Sequence, residues 1–196
     1  MKTTSKANLA AWLDDLAERY TVVAPALVES ELIYWPVPSS TQVVFDFERT
    51  ALSPKAFFLP DTQVILEMEK KGKEVVLGEP TLGREQVIFG VRPCDARGLQ
   101  ALDALLLHRP PPDVYYAERR EKTTLVGLAC PQLWDDCFCT SLGSGPDDAS
   151  AVDLMLLEED SEYLVQVVTN KGAKLLEKLE AKEVDRAVPA PNSGAG

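Results

Sequence analysis

The sequence predicts an α/β domain in which helices flank a mixed β-sheet and a cysteine-bearing loop region lies at one end of that sheet. Short apolar runs typical of buried strands alternate along the chain with segments whose apolar residues recur at helical spacing. Prolines, glycines and serines separate these segments, as expected of loops. We expect the domain to span residues 1–187 and residues 188–196 to form a disordered tail, because proline and small residues dominate that segment.

The chain opens with an expected amphipathic helix, which strands follow. Apolar residues recur at helical spacing over 8–20, with acidic residues on the opposite side. The apolar run over 21–24 is typical of a strand, and Pro25 is expected to end it. A loop rich in proline and serine then precedes another expected strand over 43–47.

The next segment is expected to be extended and then helical. Residues 53–60 are bracketed by prolines, which disfavour a helix. Asp61 stands where an N-cap is needed for a helix that runs to about residue 71. Gly72 is expected to end that helix.

Two expected buried strands each lead into a cysteine. The run over 86–91 continues into Cys94, and the run over 123–129 continues into Cys130. Asp95 stands where an N-cap would open a leucine-rich helix. The chain then predicts a two-stranded ribbon and a last helix capped by Thr169, over 154–157, 163–168 and 171–182.

Composition and charge exclude several functional classes. Of the 196 residues 45% are hydrophobic, which is enough to build a core. The formal net charge of −11 repels phosphate backbones and argues against a nucleic-acid partner. The first ten residues are polar, and no stretch approaches the roughly 20 apolar residues of a membrane span. We therefore expect a cytoplasmic protein without a signal peptide or membrane span, whose thiols stay reduced.

Four cysteines carry the main chemical signal: Cys94, Cys130, Cys137 and Cys139. The gaps between them are 35, 6 and 1 residues. This is neither the ferredoxin run nor a paired C-x-x-C zinc pattern, so the spacing alone is a weak signal. The positions of the cysteines are more informative than their spacing, because Cys94 and Cys130 each follow an expected buried strand. If those strands are neighbours in one sheet, both thiols emerge at the end where open α/β sheets bind ligands, and the loop with Cys137 and Cys139 leaves from the same end.

Several interpretations of this thiol set remain open. Thiolate-only sets select zinc or an iron–sulfur cluster, and a free cysteine can also be a small buried hydrophobic residue. A free-standing enzyme with a reactive thiol is disfavoured, because the single histidine, His108, stands at an expected helix end. No carboxylate pair stands in a recognisable catalytic motif, and no glycine-rich nucleotide motif occurs, so no catalytic residue is assigned.

Arg92 and Arg97 flank Cys94 and are candidate cofactor-binding residues. Guanidinium groups beside a negatively charged cluster would favour its reduced state and raise its potential. The alternative is an ordinary pair of surface arginines. Asp95 is either a neighbour of the cluster or a helix cap, and the cap is favoured.

Other residues near the cysteines have both a functional and an ordinary interpretation. Trp134 and Phe138 are expected to shield the site from water. Gly143 and Gly145 allow close backbone approach, so that their N–H groups would point at cluster sulfur. The ordinary interpretation of this glycine-rich segment is a simple turn.

Several separated motifs, in order, resemble one known family. They match the iron–sulfur (beta) subunit of cytoplasmic sulfhydrogenases and the iron–sulfur subunit of anaerobic sulfite reductases, and the resemblance runs from about residue 25 to 179. The residues that carry it are Phe89-Gly-Val-Arg-Pro-Cys-Asp-Ala-Arg97, Leu99-Gln-Ala-Leu-Asp103, Tyr115-Tyr116, Arg119-Arg120-Glu121, Gly127-Leu-Ala-Cys130, Cys137-Phe-Cys-Thr-Ser-Leu-Gly-Ser-Gly-Pro146, and Ser53-Pro-Lys with Pro60.

The resemblance implies a non-catalytic electron-transfer component of an oxidoreductase complex in anaerobic metabolism. In that family the subunit passes electrons between a flavin-bearing, nicotinamide-oxidising partner and a catalytic subunit. Matched residue by residue, Cys94, Cys130, Cys137 and Cys139 correspond to the family's cysteines outside its ferredoxin part, which implies one [4Fe–4S] cluster. The alternative is zinc in a scaffold subunit that organises redox partners without carrying electrons.

The chain departs from the family pattern in one respect. Family members continue into a ferredoxin-like domain with two runs of four cysteines, and this sequence does not include those runs. We therefore expect either a truncated chain or a split version whose ferredoxin-like partner is another polypeptide.

Overall fold

The structure, a computed structural model, describes residues 1–80 and 83–184. The expected tail over 188–196 lies outside these residues. The described strands are β1 Lys2–Ser5, β2 Thr21–Val28, β3 Glu31–Pro36, β4 Glu67–Lys71, β5 Glu74–Gly78, β6 Gln86–Val91, β7 Thr123–Leu128, β8 Leu154–Glu159, β9 Glu162–Val167 and β10 Lys182–Glu183. The described α-helices are α1 Lys6–Arg19, α2 Pro93–Leu106, α3 Val114–Glu121 and α4 Asn170–Leu175.

One mixed sheet organises the domain. Its strand order is β10-β1-β9-β8-β7-β6-β2-β3. The four central strands β8, β7, β6 and β2 are parallel neighbours, and antiparallel pairs extend the sheet on both sides. The predicted α/β class, with a mixed sheet and flanking helices, is confirmed. A mostly parallel centre gathers several strand ends at one edge, and that edge positions the site described below.

Hydrophobic cores on both faces hold the sheet between helices. Successive residues of β6 alternate between them: Val87 and Phe89 pack in one core, and Ile88 packs in the other. The first core includes residues of α1 and α4, and the second includes residues of α2 and α3. Strands covered on both faces read as continuous apolar runs, which is why 86–91 and 123–129 were predicted well.

The first helix follows from its sequence. The Ser5 side chain accepts a hydrogen bond from the Asn8 N–H and caps the N-terminus of α1. The buried stripe is Leu9, Trp12, Leu13 and Leu16. None of the described helices is both long and apolar enough to span a bilayer.

Two predictions in the first half of the chain are wrong. Pro25 does not end β2, which continues to Val28. The pairing of β2 with β6 ends at Val23, so Pro25 lies beyond the part of β2 that has a strand on each side. The predicted strand over 43–47 is irregular, and its buried residues Val43 and Phe47 fill the core from a loop. The neighbour of β2 is instead β3.

The prediction over 53–71 is also wrong. Residues 54–57 form a 3₁₀ turn, and the predicted helix is replaced by the antiparallel hairpin of β4 and β5. Leu66 and Met68 alternate with Glu67 and Glu69, a period of two that is typical of a strand. Gly72 lies in the hairpin turn with a positive φ of 67°.

The C-terminal predictions are largely confirmed. The two strands of the expected ribbon pair antiparallel as β8 and β9, although they belong to the main sheet. Thr169 caps the last helix by accepting a hydrogen bond from the Gly172 N–H at 3.3 Å. That helix is shorter than predicted, because α4 ends at Leu175 and a 3₁₀ turn follows.

Candidate metal centre

Two of the four cysteines lie at the carboxyl ends of adjacent parallel strands. β6 and β7 pair in parallel up to Val91↔Gly127, so both chains leave the sheet at the same edge. Cys94 lies in the first turn of α2, and Cys130 lies two residues after β7 ends. The prediction that both cysteines follow neighbouring strands is confirmed.

A bulge at Gly90 directs the end of β6. The register with β7 shifts between Phe89 and Val91, and Gly90 has a φ of +79°. A Cβ at this position would lie 3.1 Å from the Pro25 ring, and the Tyr34 hydroxyl donates to the Gly90 carbonyl at 3.0 Å. The bulge therefore sets the direction of the backbone as it continues from β6 to Arg92 and Cys94.

The other two cysteines lie in a loop that folds back on Cys130. The Cys130 N–H donates to the Pro146 carbonyl at 2.8 Å, which joins the two ends of the loop. The Cys139 carbonyl accepts from the Ser144 N–H at 3.0 Å, and the Cys137 Sγ accepts from the Trp134 N–H at 3.3 Å. The stretch between these contacts is mostly exposed, so few packing contacts hold it.

The thiols of the four cysteines influence one another electrostatically. The pKa of the Cys130 thiol is raised to about 11, chiefly by burial and to a smaller extent by the other three cysteines, Cys94, Cys137 and Cys139. The Arg92 guanidinium opposes this rise. The structure thus places all four thiols and one cation in a common neighbourhood.

Cys94 and Asp95 form the second charged part of this neighbourhood. The pKa of the Cys94 thiol is raised by partial desolvation and then by the Asp95 carboxylate, although Cys94 itself is at the surface. Asp95 lies within the first turn of α2 and accepts a hydrogen bond from the Ser53 hydroxyl at 2.6 Å. The prediction that Asp95 is the N-cap is wrong, because α2 begins at Pro93 and the N-cap position is Arg92.

The thiols are grouped without converging on one point. Among the described residues, no set of three or more His, Cys, Asp or Glu side chains is arranged so that it could hold a metal ion. All four cysteines are free thiols. The structure therefore brings the predicted cysteines to one edge of the sheet as free thiols.

Arg92 is buried at the centre of this edge, with only 4% of its surface exposed. Its guanidinium donates to the carbonyls of Leu128 and Ala129, at 3.2 and 2.7 Å, and to the Phe47 carbonyl. It also stacks 4.1 Å from the centroid of the Phe47 ring. The alternative of a surface arginine is therefore wrong for Arg92, which ties the ends of β6 and β7 to the 43–47 loop.

The charge of Arg92 has no ion-pair partner among the described residues. Its Nε–H is also buried without a hydrogen-bond acceptor there. The Asp95 carboxylate interacts with this guanidinium electrostatically but makes no ion-pair contact with it. A buried cation without a direct ion pair is costly, so this arrangement favours a further anionic group nearby.

Arg97 differs from Arg92 in its environment. It is partly exposed, pairs with Asp148 at 3.6 Å and donates to the Leu142 carbonyl at 3.4 Å. Arg97 therefore ties α2 to the far side of the cysteine loop. The two arginines look equivalent in the sequence, and only the folded structure shows that they have different environments.

The aromatic residues and glycines of the cysteine loop lie in surroundings that differ from the predicted ones. Phe138 is 66% exposed, so it covers nothing in the described part of the chain, and Trp134 is half-buried. The Gly143 N–H donates to the Thr140 carbonyl at 3.2 Å in a turn, as the ordinary interpretation of this segment expects. The Gly145 carbonyl accepts from Asp148 in the next turn.

Three residues near the site were not predicted. Phe47 and Ser53 lie 47 and 41 residues before Cys94, and Asp147 follows Pro146, whose carbonyl accepts from the Cys130 N–H. One carboxylate oxygen of Asp147 is buried without a hydrogen-bond partner among the described residues. No local pattern marks such residues, because only chain folding brings them to the sheet edge.

A comparison with curated proteins identifies a relative. Over 159 residues the chain is 35% identical to the sulfhydrogenase 2 subunit beta of Pyrococcus furiosus. The chain is a homologue of a sulfhydrogenase beta subunit. The matched residues are 80% of this chain and 45% of the relative, so the chain spans about half the length of the sulfhydrogenase subunit it matches.

The other comparisons give no match. No family model matches the chain, and no solved structure matches it. The predicted resemblance to a sulfhydrogenase beta subunit is nevertheless confirmed, because the identity of 35% extends over 80% of this chain.

Proposed function

We propose that this chain is an electron-transfer subunit, or part of one, in a multi-subunit redox enzyme. It carries one [4Fe–4S] cluster, with Cys94, Cys130, Cys137 and Cys139 as ligands. The cluster-binding domain spans 1–187. Electrons pass between a flavoprotein or ferredoxin-like partner and a catalytic subunit of hydrogenase or sulfur or sulfite reductase type.

The observation that carries this proposal is a buried cation beside four thiols. Arg92 has no carboxylate in ion-pair contact among the described residues, and its guanidinium acts electrostatically on Cys130. With free neutral thiols, the Asp95 carboxylate, which acts on Arg92 without an ion-pair contact, would offset this charge only in part. Four thiolates around a metal group would bring further negative charge to the buried guanidinium.

The donor set also fits the proposed cluster. Soft thiolates select iron–sulfur clusters or zinc, and four thiols lie at this edge. When bound, the cluster accepts and releases single electrons. The thiols do not converge in the described structure, and ligand convergence is ordinarily coupled to metal binding. The exposed loop with Cys137 and Cys139 is the part that ligation would order.

Membership of a larger complex is supported by the relative, which is named as a subunit of a sulfhydrogenase. An electron carrier needs a donor and an acceptor, and the described residues show no nucleotide motif of their own. We place this subunit in the cytoplasm, where its thiols remain reduced.

The first test is metal analysis of protein purified without air. We expect brown protein with about four iron and four sulfide per chain, and a low-temperature EPR signal after reduction. Stoichiometric zinc without sulfide would instead support the scaffold alternative, because zinc is redox-silent. Protein with neither metal would contradict both.

The second test changes one loop ligand. Cys137→Ser should lower iron content and make residues 133–146 sensitive to protease, because ligation orders an otherwise exposed loop. Ser141→Ala, in the same exposed loop, is the matched control and should change neither. Iron content and protection equal to those of the unchanged protein would show that Cys137 is not a ligand.

A further inference from the structure

The loop that carries two of the cysteines also carries exposed apolar side chains. Leu133, Phe138 and Leu142 are 44%, 66% and 63% exposed. Leu52 is 62% exposed on a neighbouring segment, which the contact of Arg49 with Asp136 joins to the loop. We call these four residues the cysteine-loop patch. Exposed apolar residues grouped around a site are typical of protein–protein contacts.

The charge around this patch is one-sided. Residues 123–170 contain nine acidic residues and no lysine or arginine. Four of the acids lie in the cysteine loop: Asp135, Asp136, Asp147 and Asp148. Arginines from other segments pair with two of them, Asp136 and Asp148. Asp135 is exposed and forms no ion pair among the described residues, so it leaves the rim of the patch negative.

We propose that the cysteine-loop patch is the docking surface for a redox protein whose contact face has an apolar centre and a rim rich in lysine or arginine. This inference rests on the proposed function, because it places the partner beside the site that would exchange electrons with it. A second copy of this chain is a poor occupant, since both surfaces would carry the same negative rim. An acidic ferredoxin-like partner is disfavoured at this surface for the same reason.

The patch contains four exposed apolar residues, a small number that suits a transient complex. Redox encounters use small interfaces, in which opposite charges steer association and a few central apolar residues supply most of the affinity. Phe138 is the most exposed member of the patch and lies between Cys137 and Cys139. It is therefore the expected anchor of the contact.

The test uses an oxidised, lysine-rich c-type cytochrome as a basic probe and an acidic plant-type ferredoxin as its counterpart. Binding is measured by calorimetry at low and at physiological salt, which requires no electron transfer. We expect the cytochrome to bind and the ferredoxin not to bind. Added salt should weaken the binding of the cytochrome. The double variant Phe138→Ala/Leu142→Ala should weaken binding roughly tenfold, and Asp135→Lys should weaken it several-fold.

Matched controls lie at the other end of the sheet. Leu105, 53% exposed, lies near the end of α2 and about 16 Å along the helix axis from Cys94. Leu105→Ala and Glu121→Lys should leave binding unchanged. Equal weakening by these controls, preferred binding of the ferredoxin, or no effect of the Phe138→Ala/Leu142→Ala variant would overturn the proposal.

Iron and sulfide are measured on the same samples, which separates the two hypotheses. Protein that binds the cytochrome at this surface but contains no cluster would contradict only the proposed function. Protein that contains the cluster but does not bind through the cysteine-loop patch would contradict only the docking proposal.

Discussion

Arg92→Met is expected to lower the free energy of unfolding of the metal-free protein by about 3 kcal/mol, because it leaves buried carbonyl groups without their donor. Those carbonyls belong to Phe47, Leu128 and Ala129. The methionine side chain replaces much of the volume and donates no hydrogen bond. Urea unfolding followed by tryptophan fluorescence measures the loss.

Two further substitutions show whether burial causes this effect. Arg97→Met removes the other arginine beside Cys94 and should cost less than about 1 kcal/mol, because Arg97 is partly exposed and its ion pair is at the surface. Arg92→Lys keeps the positive charge but loses the planar set of guanidinium donors. The stability of this variant should therefore lie between that of Arg92→Met and that of Arg97→Met. If Arg92→Met and Arg97→Met unfold at the same urea concentration, Arg92 does not hold the ends of the strands together.

Gly172→Ala is the second substitution with a large expected effect. A Cβ at Gly172 would lie 2.1 Å from the Asp153 carbonyl oxygen and 2.7 Å from its carbonyl carbon. Both are backbone atoms, so no side-chain rotation relieves the overlap. We expect a loss of roughly 3 kcal/mol, at the upper end of overpacking effects.

The loss should be large because Asp153 joins several elements. Its carboxylate accepts from the Leu125 N–H of β7 and from the Thr169 hydroxyl that caps α4, and its carbonyl accepts from the Val168 and Thr169 N–H groups. Displacing Asp153 would therefore disturb both β7 and α4.

A second helical glycine provides the control. Gly98 lies in α2, and a Cβ there would have no heavy atom within 4 Å. Gly98→Ala should therefore stabilise the protein by about 0.5 to 1 kcal/mol, because alanine has the higher helix propensity. A Gly172→Ala variant as stable as Gly98→Ala would show that α4 does not pack this closely against Asp153.

The sequence alone was enough to predict the strands that lead to the site. The runs over 87–91 and 125–129 are continuously apolar, because β6 and β7 are covered on both faces. Cys94 and Cys130 follow these runs directly, so their place at one sheet edge was predictable as soon as the strands were assumed to be neighbours. The cap at Thr169 was also predictable, because the hydrogen bond that its side chain accepts comes from Gly172, three residues along the chain.

Long-range pairing decided what the sequence could not. Residues 43–47 have the apolar composition of a strand, but β3 already occupies the free edge of β2, and the segment fills the core as a loop. Residues 67–71 became a strand because β5 pairs with them. Strand propensity depends on such neighbours more than helix propensity does.

For the charged residues at the site, too, the sequence determined one part and the tertiary structure the other. The sequence by itself determined which residue types surround the cysteines: two arginines, several aspartates and no further cation in the loop. Only the tertiary structure decided that Arg92 is buried and Arg97 is partly exposed, because the acceptors of Arg92 come from β7 and from the 43–47 loop. Burial is a property of what distant segments cover, and no local pattern in the chain records it.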